Sequence, residues 1–186
     1  MNRFIKTAVY FILLLLANRP ALADNIHRFA IGAGYGPQWT HNTIQQNNAL
    51  IDISLFLKEY RLPRLGNSAV LLGLGYSYLW TDADINRDSH VISLLPAYRY
   101  YFRSSKRIQL YVHLAAGPSV MSSKNLGYQE HGSVFIFNDF IGLGARFGRR
   151  QQWEITCTWR HLSNADFFKP NHGYDVPYSI SLGYIF

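Results

Sequence analysis

An eight-stranded antiparallel β-barrel that crosses a membrane is the fold class this sequence predicts, on three observations. Only 16% of its 186 residues are charged, against about 25% in an ordinary soluble domain, while 16% are aromatic. Apolar residues recur at every second position over most of the chain, the period of a strand rather than a helix. The connections between these alternating segments are short and long in turn, as in outer-membrane barrels. A mean hydropathy of −0.07 is far too low for a bundle of transmembrane helices. A single Cys excludes a disulfide scaffold, and the apolar content excludes a disordered chain.

The N-terminus reads as a targeting segment. Arg3 and Lys6 precede an apolar run at 8–17 that contains leucines at 13–16. Ala21-Leu22-Ala23 follows, the small-x-small pattern of a cleavage site. The run is shorter than the ~20 residues a helical span needs, so a signal peptide at 1–23 and a barrel domain at 24–186 are expected. Removal of Arg3, Lys6 and Arg19 with that segment lowers the net charge from +7 to +4. That charge and the absence of any nucleic-acid motif give no reason to expect nucleic acid as a partner.

Eight segments carry the alternating pattern: 28–38, 49–60, 68–80, 90–103, 107–117, 133–147, 151–162 and 175–186. In the third, Val70, Leu72, Leu74, Tyr76, Tyr78 and Trp80 share one face, and Gly73, Gly75 and Ser77 the other. A small membrane barrel turns the apolar face to lipid and fills its lumen with small or polar residues. A soluble lipocalin-like barrel needs the opposite sense. The last segment alternates Tyr178, Ile180, Leu182, Tyr184 and Phe186, ending on an aromatic residue as outer-membrane proteins do. The connections near 61–67, 104–106 and 148–150 are short; those near 39–48, 81–89, 118–132 and 163–174 are long. An even strand number leaves both termini on the short-turn, periplasmic side. The short turns are basic, with Arg61, Arg64, Arg103, Lys106, Arg107, Arg149 and Arg150.

One segment departs from the pattern in a way that suggests chemistry. The seventh segment places Trp153, Ile155, Cys157, Trp159 and His161 on one face, otherwise apolar and so expected to meet lipid. A polar side chain there has a desolvation cost of a few kcal/mol unless paired. Ser163, two residues on, shares the face if the strand persists, roughly 6.5–7 Å away between Cα atoms. Ser163 as nucleophile and His161 as its base are the minimum for acyl transfer. An acid is then needed to orient the imidazole. Asp175 opens the neighbouring last strand and can return to His161. Asp166 is the other candidate, in the intervening loop.

The run Arg160-His161-Leu162-Ser163-Asn164-Ala165, a later Pro170-Asn171-His172-Gly173, and an acid fourteen residues after His161 resemble the PagL family of outer-membrane lipid A 3-O-deacylases. The local match covers about fifteen residues. The family's plan of signal peptide plus eight strands covers the chain. The resemblance implies hydrolysis of the acyl chain ester-linked at position 3 of lipid A, by a triad on the outer, membrane-facing surface and without a cofactor or metal. It makes Ser163 the nucleophile, His161 the general base and Asn164 a contributor to the oxyanion hole. Asp175 stands where the family usually has Glu, a carboxylate one methylene shorter. Lipopolysaccharide is then the substrate and the outer membrane the location; a second copy of the chain is the protein partner this reading allows for.

The remaining polar residues read as structural. Cys157 is a small hydrophobe on the lipid-facing row. His172 lies in the long loop with no role implied, and His27, His41, His90, His113 and His131 lack metal-ligand spacing. Asp82, Asp84 and Asp88 form a solvated loop cluster. Arg99, Asn138, Asp139 and Arg146 suggest lumen or interface contacts. No Gly-x-Ser-x-Gly elbow is present, which removes a soluble α/β-hydrolase. The alternatives are an outer-membrane phospholipase and a non-enzymatic structural or adhesion barrel.

Overall fold

Residues 24–40, 44–102 and 107–186 are described in a computed structural model. The expected targeting segment at 1–23, together with His41, Arg103 and Lys106, lies outside them. The strands are β1 (Asp24–Pro37), β2 (Asn47–Leu62), β3 (Ser68–Thr81), β4 (Asp88–Tyr101), β5 (Gln109–Met121), a small hairpin of β6 (Asn125–Leu126) and β7 (Gln129–Glu130), then β8 (Phe135–Phe147), β9 (Trp153–Ser163) and β10 (Tyr174–Ile185). Eight of them form one closed antiparallel barrel in the order β1-β10-β9-β8-β5-β4-β3-β2. Pairing of β1 with β10 closes the sheet and leaves no free edge. β5 runs to Met121, four residues past the expected end at 117, through Pro118. A proline cannot donate to the ladder. The β4–β5 pairing is interrupted between Ser93 and Ala97, where Pro96 and Pro118 lie.

The alternation resolves in the inverted sense. Ile31, Ile51, Ile53, Leu74, Ile92, Leu94, Ile141, Leu143, Ile180 and Leu182 all point outward and are exposed. Arg28, Glu59, Arg99, His113, Asn138, Glu154 and Arg160 are buried inside. The lumen is not wholly polar, however. At the long-loop end Leu50, Leu79, Val91, Met121, Leu126, Ile136, Leu162, Tyr174 and Val176 form an apolar plug. A second cluster around Phe56, Leu71, Leu95 and Phe140 lies in the middle. These residues occupy inward positions between the outward rows.

At the short-turn end the lumen carries an ionic network. Glu154 meets Arg99 and Arg146, each at 2.7 Å, and Arg28 at 3.0 Å. Glu59 meets Arg28 and Arg146, each at 3.1 Å. Arg99 also donates to His113 Nδ1 at 2.8 Å, and its guanidinium lies 4.2 Å from the centre of the Tyr111 ring. Charges buried this deeply persist only when paired and hydrogen-bonded.

Candidate active site

The outward row of β9 runs Trp153, Ile155, Cys157, Trp159, His161, Ser163. Exposure falls along it as the row climbs toward the long loops, and Ser163 is 8% exposed. The strand does persist through Ser163, so His161 and Ser163 share a face. Trp159 stacks on the imidazole from below, ring centres 5.8 Å apart and planes 21° from parallel.

β10 supplies the acid through an irregularity. From Ser179 to Tyr184 the β9–β10 ladder runs in one register; between Val176 and Ser179 it shifts by one residue. Beyond the shift Asp175 lies directly opposite His161. Tyr174 and Val176 turn inward to the plug, while Asp175 points the same way as His161, since directly paired residues share a face. Uninterrupted alternation from Tyr178 would put Val176 outside and Asp175 inside. A bulge that re-aims one side chain beside a functional group is a recurrent device, and Pro177 sits in it.

The imidazole and carboxylate meet: His161 Nδ1 is 2.8 Å from Asp175 Oδ1. With Nδ1 donating to the acid, Nε2 is left as the acceptor. The second carboxylate oxygen is held in a cradle just past β1. Asp175 Oδ2 accepts from the Thr40 N–H at 2.6 Å, Thr40 Oγ1 at 2.8 Å, the Trp39 N–H at 3.1 Å and Gln38 Nε2 at 3.3 Å. Beneath it, Asn48 Nδ2 donates to Gln38 Oε1 and to the Asp175 carbonyl, each at 2.7 Å. Gly173 lies against the other edge of the imidazole with φ +72°. A Cβ there would lie 2.6 Å from His161 Cε1 and 3.2 Å from Nε2. Only glycine adopts that conformation without strain and also keeps the Nε2 side clear.

Asp166 is excluded as the histidine's partner here. It is exposed and holds Lys169 Nζ at 2.9 Å and Asn171 Nδ2 at 3.1 Å. Asn164 is fully buried. Its N–H donates to Asn171 Oδ1 at 3.0 Å and its side-chain amide to the Phe168 carbonyl at 2.7 Å, so both donors brace the loop that follows. No hydrogen bond joins Ser163 to His161 among the described residues; such bonds are commonly long without substrate.

The loop 164–173 is braced in turn by the segment after β7. Gly132 N–H donates to the Pro170 carbonyl at 2.6 Å, and His131 bridges Asn171. His131 is fully buried, and neither ring nitrogen has a hydrogen-bond partner among the described residues. Burial pushes its pKa down to about 4. Asp139 was not among the expected site residues. It lies on the outward row of β8, directly opposite His161 on the side away from Asp175, and its Oδ1 has no hydrogen-bond partner among the described residues. Four residues below His161, Gly142, Leu143, Cys157, Pro177, Tyr178 and Ile180 line an open apolar furrow of about 520 Å³.

A family model described as lipid A 3-O-deacylase (PagL) matches residues 56–184, well over half of the sequence. The chain belongs to that family. It is 33% identical over 105 residues to the lipid A deacylase PagL of Bordetella bronchiseptica, a stretch that covers 55% of each chain. This chain thus aligns with about half the length of that relative. Among solved structures, the barrel resembles the crystal structure of the outer membrane enzyme PagL, with TM-score 0.59, 21% identity, and 86% of this chain and 98% of the other covered. It is similar also to neisserial surface protein A, with TM-score 0.57, 12% identity, and 89% and 100% covered. The PagL family match locates the barrel in the outer membrane. Two different proteins share the architecture, so it is the site that distinguishes this PagL family member. The cradle at 38–40 lies outside the stretch that the family model matches.

Proposed function

We propose that this protein is a serine esterase that removes the 3-O-linked acyl chain of lipid A at the outer surface of the barrel. The observation that carries the reading is the 2.8 Å contact of His161 Nδ1 with Asp175, on an outward row that continues to Ser163. Ser163 Oγ attacks the ester carbonyl while His161 Nε2 takes its proton. Asp175 holds the imidazole in the tautomer that leaves Nε2 basic and stabilises the imidazolium. Collapse of the tetrahedral intermediate expels the sugar hydroxyl, which takes the proton from Nε2, and leaves the acyl group on Ser163. Water, deprotonated by Nε2, then attacks the acyl-serine and releases the fatty acid.

Asn164 serves as oxyanion donor in this scheme once substrate displaces or shares the Asn171 bond to its N–H. The apolar furrow takes the acyl chain. Its walls keep water from the oxyanion and strengthen every hydrogen bond made to it. The long loops above supply water for the second step. The pair His161 and Ser163 has no structural reason to sit on a lipid-facing row, which favours this reading over a structural or adhesion barrel.

Mass spectrometry of lipid A from cells that express the wild type, Ser163→Ala and His161→Ala tests it. Loss of one hydroxyacyl chain with the wild type alone is expected. Equal acyl loss in all three would remove the triad assignment. Phospholipid offered beside lipid A separates a phospholipase, which would cleave the former and spare the latter.

A further inference from the structure

Among the described residues, the exposed charged side chains of the short-turn rim are all cationic. Lys58, Arg61 and Arg64 on the β2–β3 side, Arg107 before β5, and Arg149 and Arg150 between β8 and β9 are all exposed. Among the described side chains this rim exposes no carboxylate. Glu59 and Glu154, at this end of the barrel, are buried at 1% and 2% exposure and engaged by Arg28, Arg99 and Arg146 inside. The opposite rim differs: Asp82, Asp84, Asp88, Glu130 and Asp166 are exposed there beside Arg87, Lys124 and Lys169.

Depth decides what those cations meet. Aromatic residues lie just inside the basic rim at the ends of β4, β9 and β10. Tyr100 packs on Phe102 at 5.5 Å, Trp153 on Tyr184 at 4.8 Å and Tyr184 on Phe186 at 5.1 Å. Interfacial aromatic residues sit at headgroup level. Arg149 and Arg150 lie on the turn side of Trp153, and Arg107 lies just before β5 on the turn side of Leu110, within reach of the phosphates at that level. A guanidinium presents a planar fork that matches a phosphate.

We propose that this rim is a binding surface for the phosphate groups of anionic glycerophospholipids in the periplasmic leaflet. Each cation near an anionic surface contributes about fivefold to binding. The surface is independent of the esterase site, which lies at the other end of the barrel.

The test measures binding of fluorescent phosphatidylglycerol and phosphatidylcholine to the purified barrel in neutral detergent micelles. The wild type is expected to prefer phosphatidylglycerol, and high salt to suppress the preference. Replacing Arg61, Arg64, Arg149 and Arg150 together by Gln lowers that preference roughly 600-fold. The pair Arg149→Gln and Arg150→Gln alone lowers it by about 25-fold and serves if the quadruple variant does not fold. Lys124→Gln with Lys169→Gln, at the other rim, leaves it unchanged. No preference in the wild type, or a preference that survives the rim variants, overturns the proposal. Inorganic phosphate added at the lipid concentration is expected to leave binding intact; full displacement would mark a free-phosphate site and overturn the lipid assignment.

Discussion

Polar groups are buried at both ends of this barrel, but on opposite sides of its wall. At the short-turn end Arg28, Glu59, Arg99, Arg146 and Glu154 point inward and close on one another. At the long-loop end His161, Ser163, Asp175 and Asp139 lie on outward rows. Among the described residues Asp139 Oδ1 has no hydrogen-bond partner there, and no hydrogen bond joins Ser163 to His161. The inward set is tied together by ion pairs, although Arg28 Nη1 has no hydrogen-bond partner among the described residues. The outward set keeps open valences at one spot, beside an apolar furrow. The contrast is between polar groups that close on one another inside the wall and polar groups that gather on its outer side, where the proposed chemistry lies.

The comparison breaks most sharply if Asp175→Asn is harmless. An amide opposite Nδ1 stabilises the wrong imidazole tautomer, so kcat on lipid A is expected to fall about 10³- to 10⁴-fold while the barrel stays folded. A loss under tenfold would mean that the acid does not orient His161. Glu154→Gln should do the reverse. It leaves three arginines short of a partner, at about 3–5 kcal/mol in unfolding free energy, with unchanged turnover per folded molecule. Urea unfolding and specific activity of the same samples separate the two effects.

Acidification probes the loops between these extremes. His131 has its folded-state pKa near 4 because of burial, against about 6.5 in the unfolded chain. Below pH 6.5 the unfolded chain therefore binds the extra proton first. The stability His131 permits is complete above that pH and is lost progressively as pH falls toward 4, about 3 kcal/mol in all. Limited proteolysis of the loop 164–173 should accelerate across that window, and His131→Phe should flatten the dependence. The smallest effect is expected from Thr40→Val. It removes one of the donors to Asp175 Oδ2 and costs about 1.5 kcal/mol, roughly tenfold in kcat. Restoration by Thr40→Ser would attribute the loss to the hydroxyl.

Most of the barrel was legible because alternation is a period-2 signal and membrane strands are long. The hairpin of β6 and β7 was not, since two-residue strands carry no period. The apolar plug was missed for a related reason: residues such as Leu79 and Leu162 fall on the face read as small or polar. His161 was legible as a polar residue on an apolar row. The same logic finds Asp139, which stands between Phe137 and Ile141 on its own outward row; that signal was present and not used. The bulge at Val176 to Ser179 depends on the register of a partner strand, so β10 alone could not announce which way Asp175 points. The cradle of Gln38, Trp39 and Thr40 lies about 135 residues from the acid it holds and carries no local mark.

That cradle ties the His161–Asp175 pair to the seam of the barrel. The donors to Asp175 Oδ2 emerge from the first strand, whereas Asp175 belongs to the last, and these two strands meet only when the cylinder shuts. A chain zipped from β2 through β10 already brings Asp175 opposite His161, yet it leaves the far oxygen of the carboxylate without its clasp. The fully held His161–Asp175 pair is therefore a property of the finished cylinder and of no partly assembled form that precedes it.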